Sequence, residues 1–121
     1  MSEALHDIKS RADIEHLVNE FYAKVKADQL LAPVFANVNW PHHLPIMYNF
    51  WSSVLLGDLS YSGNPLAKHM ALDINKDHFS KWLELFTVTV DENFVGFNAT
   101  EAKNRALTIA NLFQYKMGLE L

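Results

Sequence analysis

Ile14, Leu17, Val18, Phe21, Tyr22 and Val25 recur three and four residues apart, with no glycine or proline among them. This spacing lines all six along one face of an α-helix; a strand, whose faces alternate every second residue, has no use for it. The rhythm returns in Met47, Phe50, Trp51, Val54 and Leu55, in Phe79, Trp82, Leu83, Phe86 and Val90, and in Ala102, Ala106, Ile109, Leu112, Phe113 and Met117. Only four glycines and four prolines punctuate 121 residues. The chain therefore reads as all-α.

Local chemistry sets the expected boundaries. Ser10 followed by Asp13 fits a reciprocal capping box and opens a helix over 11–27. Asp28 and Gln29 interrupt it, and Leu30 to Phe35, with Pro33 inside, reads as a short turn or a one-turn helix. Trp40-Pro41 opens a second helix, since proline is tolerated in a first turn, with Pro45 offering a later start, and Gly57 closes it. Asp58 to Asn64 has no period and reads as a loop, and Asn64-Pro65 starts a short helix running to about Leu72. Asn75 or Asp77 caps the next helix. After a bend at Gly96, Asn98 with Glu101 reads as a second capping box that opens the last. No repeat or linker divides the chain, so one domain over 1–121 is expected.

Composition narrows the function classes. The net charge is −4, with the ten Lys and Arg scattered, which leaves no basic stripe for nucleic acid. No apolar stretch approaches the roughly 20 residues of a membrane span. The first ten residues lack the apolar core of a secretory signal, and a cytoplasmic protein is the simplest expectation. With no cysteine, disulfides, thiolate catalysis, zinc–cysteine sites and covalent haem attachment are excluded. Nucleophile-elbow, phosphate-loop, dinucleotide and His-Glu-x-x-His signatures are also absent.

What remains is a set of polar side chains on apolar helical faces: Tyr22, His43, His69 and Trp82. His69 follows Pro65 by four residues and shares a face with Leu66 and Leu72. An imidazole presented from such a face suits an axial ligand of iron, but it also suits a locally bonded histidine. His43 fits a helix start at the surface. Tyr22 fits a buried ring with a wet hydroxyl, and Trp82 fits core packing. Spacing alone does not join the four. A non-haem metal site from His42, His43, His69 and His78 is weak, because no carboxylate stands at a matching helical spacing.

The stretch Phe50-Trp51-x-x-x-Leu55-Leu56-Gly57-x-x-x-Tyr61-x-Gly63-x-Pro65-Leu66-x-x-His69 resembles the signature of truncated haemoglobins. Phe21-Tyr22 on the first helix and Trp82, thirteen residues after His69, agree with it. The likeness extends over roughly residues 14 to 117. Trp82 and a distal histidine, without paired glycines beside the helices, are similar to the third group of that family.

The resemblance implies a globin-like, two-over-two helical sandwich holding haem b without covalent links. It makes His69 the proximal iron ligand. Tyr22, His43 and Trp82 become the polar residues facing the iron-bound ligand. Phe35, Met47, Leu66, Leu72, Phe79 and Trp82 contact the cofactor, Phe35 packing on its face and Met47 lying over the ring. Lys68 and Tyr61 are candidates for the propionates. The implied ligands are dioxygen, nitric oxide and carbon monoxide, with nitric oxide or peroxide detoxification among the activities. Turnover would need an external reductase, so the residues leave enzyme status open; the chain is taken as a monomer. The competing expectation is a cofactor-free helical interaction or sensor module, whose purified protein would be colourless.

Overall fold

The computed structural model describes residues 5–36, 38–57 and 75–116. Four α-helices run through them: α1 (Arg11–Ala27), α2 (Trp40–Leu56), α3 (Lys76–Asn93) and α4 (Phe97–Lys116). Among the described residues the architecture is all-α, as the apolar periodicities predict. α3 and α4 make the most extensive helix pair, α1 packs on both α2 and α3, and α2 reaches α4. The expected loop from Asp58 and the short helix to Leu72 lie outside the described residues, as do Met117 and the side chain of Phe113.

α1 begins as its sequence dictates. Ser10 Oγ accepts from the Asp13 amide at 3.2 Å, and Asp13 Oδ2 accepts from the amides of Ser10 at 3.2 Å and Lys9 at 2.9 Å. Its stripe of Ile14, Leu17, Val18, Phe21, Tyr22 and Val25 is buried throughout. Asp28 then turns the chain: its carboxylate accepts from the amides of Leu30 and Leu31. That short turn places Leu31 and Phe35 in the core.

α3 is capped by Asn75, whose side chain accepts from the amides of Asp77 and His78, while His78 Nδ1 accepts from the Asn75 amide at 3.0 Å. This local bond removes one ring nitrogen of His78 from any metal site. Among the described residues no group of three or more His, Asp or Glu is placed to hold a metal ion.

The start of α4 corrects the sequence reading. The Asn98/Glu101 box does not form; Glu101 instead pairs with Arg105 one turn on, at 2.9 Å. The cap comes from Asp7, at the other end of the chain. Its Oδ2 accepts from the Asn98 amide at 2.9 Å, and its Oδ1 from the Ala99 amide at 2.8 Å and the Ile8 amide at 2.9 Å. Those orphan amides need an acceptor, and a carboxylate at a helix N-terminus is also favoured by the helix dipole. Asn98 Nδ2 donates to the Ile8 carbonyl at 2.7 Å, and the Val95 amide donates to the His6 carbonyl at 3.0 Å, completing a pin between the N-terminal segment and the α3–α4 corner. Gly96 sits in that corner at φ +138°, and a Cβ there would meet Asp7 Cγ at 2.6 Å.

The inner face of α4 also differs. It buries Ala99, Ala102, Ala106 and Ala110, and Leu112 stands 46% exposed. Small residues at positions spaced three and four apart let α4 lie close against α3, which the apolar periodicity alone did not distinguish. At the centre Phe86 is stacked between two indoles: Trp51 of α2 at 4.8 Å and Trp82 of α3 at 5.8 Å between ring centroids.

Candidate functional site

Tyr22 and His43 come from different helices, and the fold brings them together. Their ring centroids are 5.4 Å apart, edge to face. α1 supplies Tyr22 from the C-terminal half of its buried stripe, and α2 supplies His43 from its first turn. Phe35, delivered by the turn after α1, stands 6.3 Å from Tyr22. Met47, buried on α2, lies one turn beyond His43 and so on the same helical face.

The polar atoms here are shielded from solvent. Tyr22 is 3% exposed, and burial alone pushes its hydroxyl well above the usual phenol range. It therefore keeps its proton at any physiological pH and is able to donate a hydrogen bond. Nε2 of His43 is buried as well. A hydroxyl and an imidazole nitrogen enclosed by aromatic rings have little water to compete for them. Any polar ligand reaching them gains more from a hydrogen bond than it would at the surface.

Trp82 is one ring removed. It meets Phe21 edge-on at 5.7 Å, and Phe21 in turn touches Tyr22 at 4.8 Å. Trp82 is half-buried rather than fully enclosed. Phe79, one turn earlier on α3, is buried. Leu66 and His69, with Leu72, Tyr61 and Lys68, lie outside the described residues.

One member of the cluster was not among the sequence candidates. Trp40 touches Tyr22 at 5.1 Å, His43 at 5.6 Å and Phe35 at 6.1 Å, the last in a stacked arrangement. The signal was available, since Trp40 precedes His43 by three residues and must share its helical face. Read locally, it served only to mark a helix start.

The architecture and this cluster have known counterparts. The family model for bacterial-like globins matches residues 4–117. The chain is 36% identical to the group 3 truncated hemoglobin ctb of Campylobacter jejuni subsp. jejuni, over 90% of this chain and 94% of that one. The crystal structure of a group III truncated hemoglobin from Campylobacter jejuni superposes with a TM-score of 0.86 at 30% identity, covering 94% of this chain and 95% of the other. The chain belongs to the bacterial-like globins, among the truncated haemoglobins of the third group.

A more distant similarity fits the same family. This truncated haemoglobin is 31% identical to the group 1 truncated hemoglobin GlbN of Nostoc commune over 80 residues, 65% of this chain and 68% of that one. As a member of the globin family it is a haem-binding fold, and its described residues fit that cofactor. Apolar side chains from α1, α2 and the turn between them surround the Tyr22 ring and His43 Nε2. No helix among the described residues is long and apolar enough to cross a membrane.

Proposed function

We propose that this globin holds haem b without covalent links and binds dioxygen and other diatomic ligands, nitric oxide and carbon monoxide among them. The observation that carries the reading is the enclosure of the Tyr22 hydroxyl beside the His43 ring, in an aromatic setting. Haem, when bound, supplies an iron centre with one position open to a diatomic ligand. His69 would hold it from the proximal side through a neutral imidazole. Phe35 and Met47 would supply apolar contact to the macrocycle, joined by Phe79, Leu66 and Leu72.

The chain's own donors then set the affinity. A diatomic ligand held in this setting would be a hydrogen-bond acceptor, and burial keeps the Tyr22 hydroxyl protonated and able to donate to it. His43 offers a second donor and Trp82 an indole N–H. A hydrogen bond in such a dry setting contributes about 1–3 kcal/mol, or roughly ten- to a hundredfold in affinity. Several donors converging on one ligand slow its departure, which suits retention for chemistry better than delivery. Nitric oxide or peroxide detoxification is consistent with that retention, and sustained turnover would draw electrons from a separate reductase.

The decisive experiment is an absorption spectrum of the purified chain, produced with ample haem precursor. A Soret band that shifts on reduction and again with carbon monoxide is expected. Colourless protein would overturn the reading and favour the cofactor-free helical module.

A further inference from the structure

Trp40 stands between the buried pair and the outside. Its ring lies against Tyr22, His43 and Phe35, and it is itself only half-buried. On the solvent side the ammonium of Lys26, an exposed residue near the end of α1, sits 4.8 Å from the indole centroid. Lys26 thus bridges the C-terminal end of α1 to the first turn of α2 through a cation–π contact.

The backbone under Trp40 is weakly anchored. Asn39 occupies the N-cap of α2 without a side-chain capping bond. Pro45 lies inside the helix and has no N–H to donate to the carbonyl of Pro41, so one rung of the first turns is missing. α1 and α3, by contrast, both open with complete capping boxes. The position of the Trp40 ring is therefore set more by its ring contacts and by Lys26 than by the helix ladder.

We infer that Trp40 and Lys26 form a gate on the solvent side of the Tyr22–His43 pair, Trp40 being the moving leaf and Lys26 the latch that holds it closed. In the closed arrangement the indole keeps water from the Tyr22 hydroxyl and bars small ligands. When the cation–π contact breaks, the ring swings off with the first turn of α2 and the path opens. The gate governs entry rate, and the donors inside govern retention. This inference rests on the haem-binding reading for its ligand, but the shielding of Tyr22 exists with or without cofactor.

Two measurements test it separately. In haem-loaded protein, carbon monoxide recombination after flash photolysis gives the bimolecular association rate. Lys26→Met removes the latch and should raise that rate about two- to fivefold, the factor an exposed cation–π contact is worth. Lys26→Arg, which can still stack on the indole, should stay within about twofold of the parent, and Trp40→Ala should exceed Lys26→Met. Unchanged rates in both Lys26→Met and Trp40→Ala would overturn the gate, as would a rise in Lys26→Arg equal to that in Lys26→Met. In cofactor-free protein, spectrophotometric titration counts the tyrosines that ionise at alkaline pH while circular dichroism confirms a folded chain. Trp40→Ala should bring one additional tyrosine into titration. If the count does not change, Trp40 is not the shield. Failure of haem to bind would overturn the haem reading and leave this second measurement intact.

Discussion

Replacing Asp7 by alanine tests how the two ends of the chain are joined. One carboxylate accepts three amides, two of them the orphan donors of Asn98 and Ala99 in the first turn of α4. Loss of an N-cap acceptor costs typically about 1 kcal/mol, and losing a negative charge from a helix N-terminus adds roughly 0.3–1 kcal/mol. Asp7 is part-exposed, so water recovers some of the hydrogen bonding and the lower end of charged-bond values applies. The expected total is about 2 kcal/mol, or roughly 8 °C in Tm for a chain of this size. The assay is urea denaturation followed by circular dichroism, read as a lower midpoint at unchanged slope.

The pH dependence adds a second constraint. Burial works to raise the Asp7 pKa, but the amides of Asn98, Ala99 and Ile8, with help from the charge on Lys9, outweigh it and hold the carboxyl below its ordinary value. A depressed folded pKa stabilises fully above the unfolded value and loses that contribution as pH falls through the folded one. The gap between parent and Asp7→Asn should therefore be constant near neutrality and shrink only below the usual carboxylate range. An Asp7→Ala loss under about 0.5 kcal/mol, or a gap that is unchanged on acidification, would refute the capping role.

Other substitutions read other parts of the molecule. Gly96→Ala places a Cβ 2.6 Å from Asp7 Cγ at a backbone angle alanine rarely adopts, and should cost about 1–3 kcal/mol by the same urea assay. Tyr22→Phe removes one donor and should speed dioxygen release roughly ten- to a hundredfold in stopped flow; an unchanged rate would remove the hydroxyl from the donor set. His69→Ala should abolish stable haem retention on gel filtration, with partial rescue by added imidazole.

The α-helical class and most boundaries were legible because their causes are local. Ser10 and Asp13 are three residues apart, and both partners of that box are in view together. Gly57 closes α2 in the left-handed conformation at φ +71°, a state glycine enters without cost. The start of α4 was misread because its true cap comes from a residue 91 positions away from Asn98. Nothing in Asn98 or Glu101 signals that a better acceptor will arrive from elsewhere. The stripe on α4 was misread for a related reason: apolar periodicity weighs Leu112 above Ala110, whereas close helix packing favours the smaller side chain. Tyr22 and His43 were each nameable, but their pairing depends on how α1 crosses α2, which spacing does not encode.

These two kinds of information occupy different regions of the fold, and that separation has a measurable consequence. Trp82 marks the site side of α3 and Asn93 its far end, eleven residues on, or about 16 Å along a helix. The Asp7 pin closes the corner just past Asn93. Effects at sites this far apart with no shared partners add to within about 0.3–0.5 kcal/mol. The Asp7→Ala/Tyr22→Phe double variant should therefore show the stability loss of the first with the dioxygen release rate of the second. The release rates of Asp7→Ala and the parent should agree within about twofold, inside that additivity limit. Coupling beyond it would mean that the α3–α4 corner transmits strain to the Tyr22–His43 pair, and the pin would then be part of the ligand site rather than a fastening for the fold.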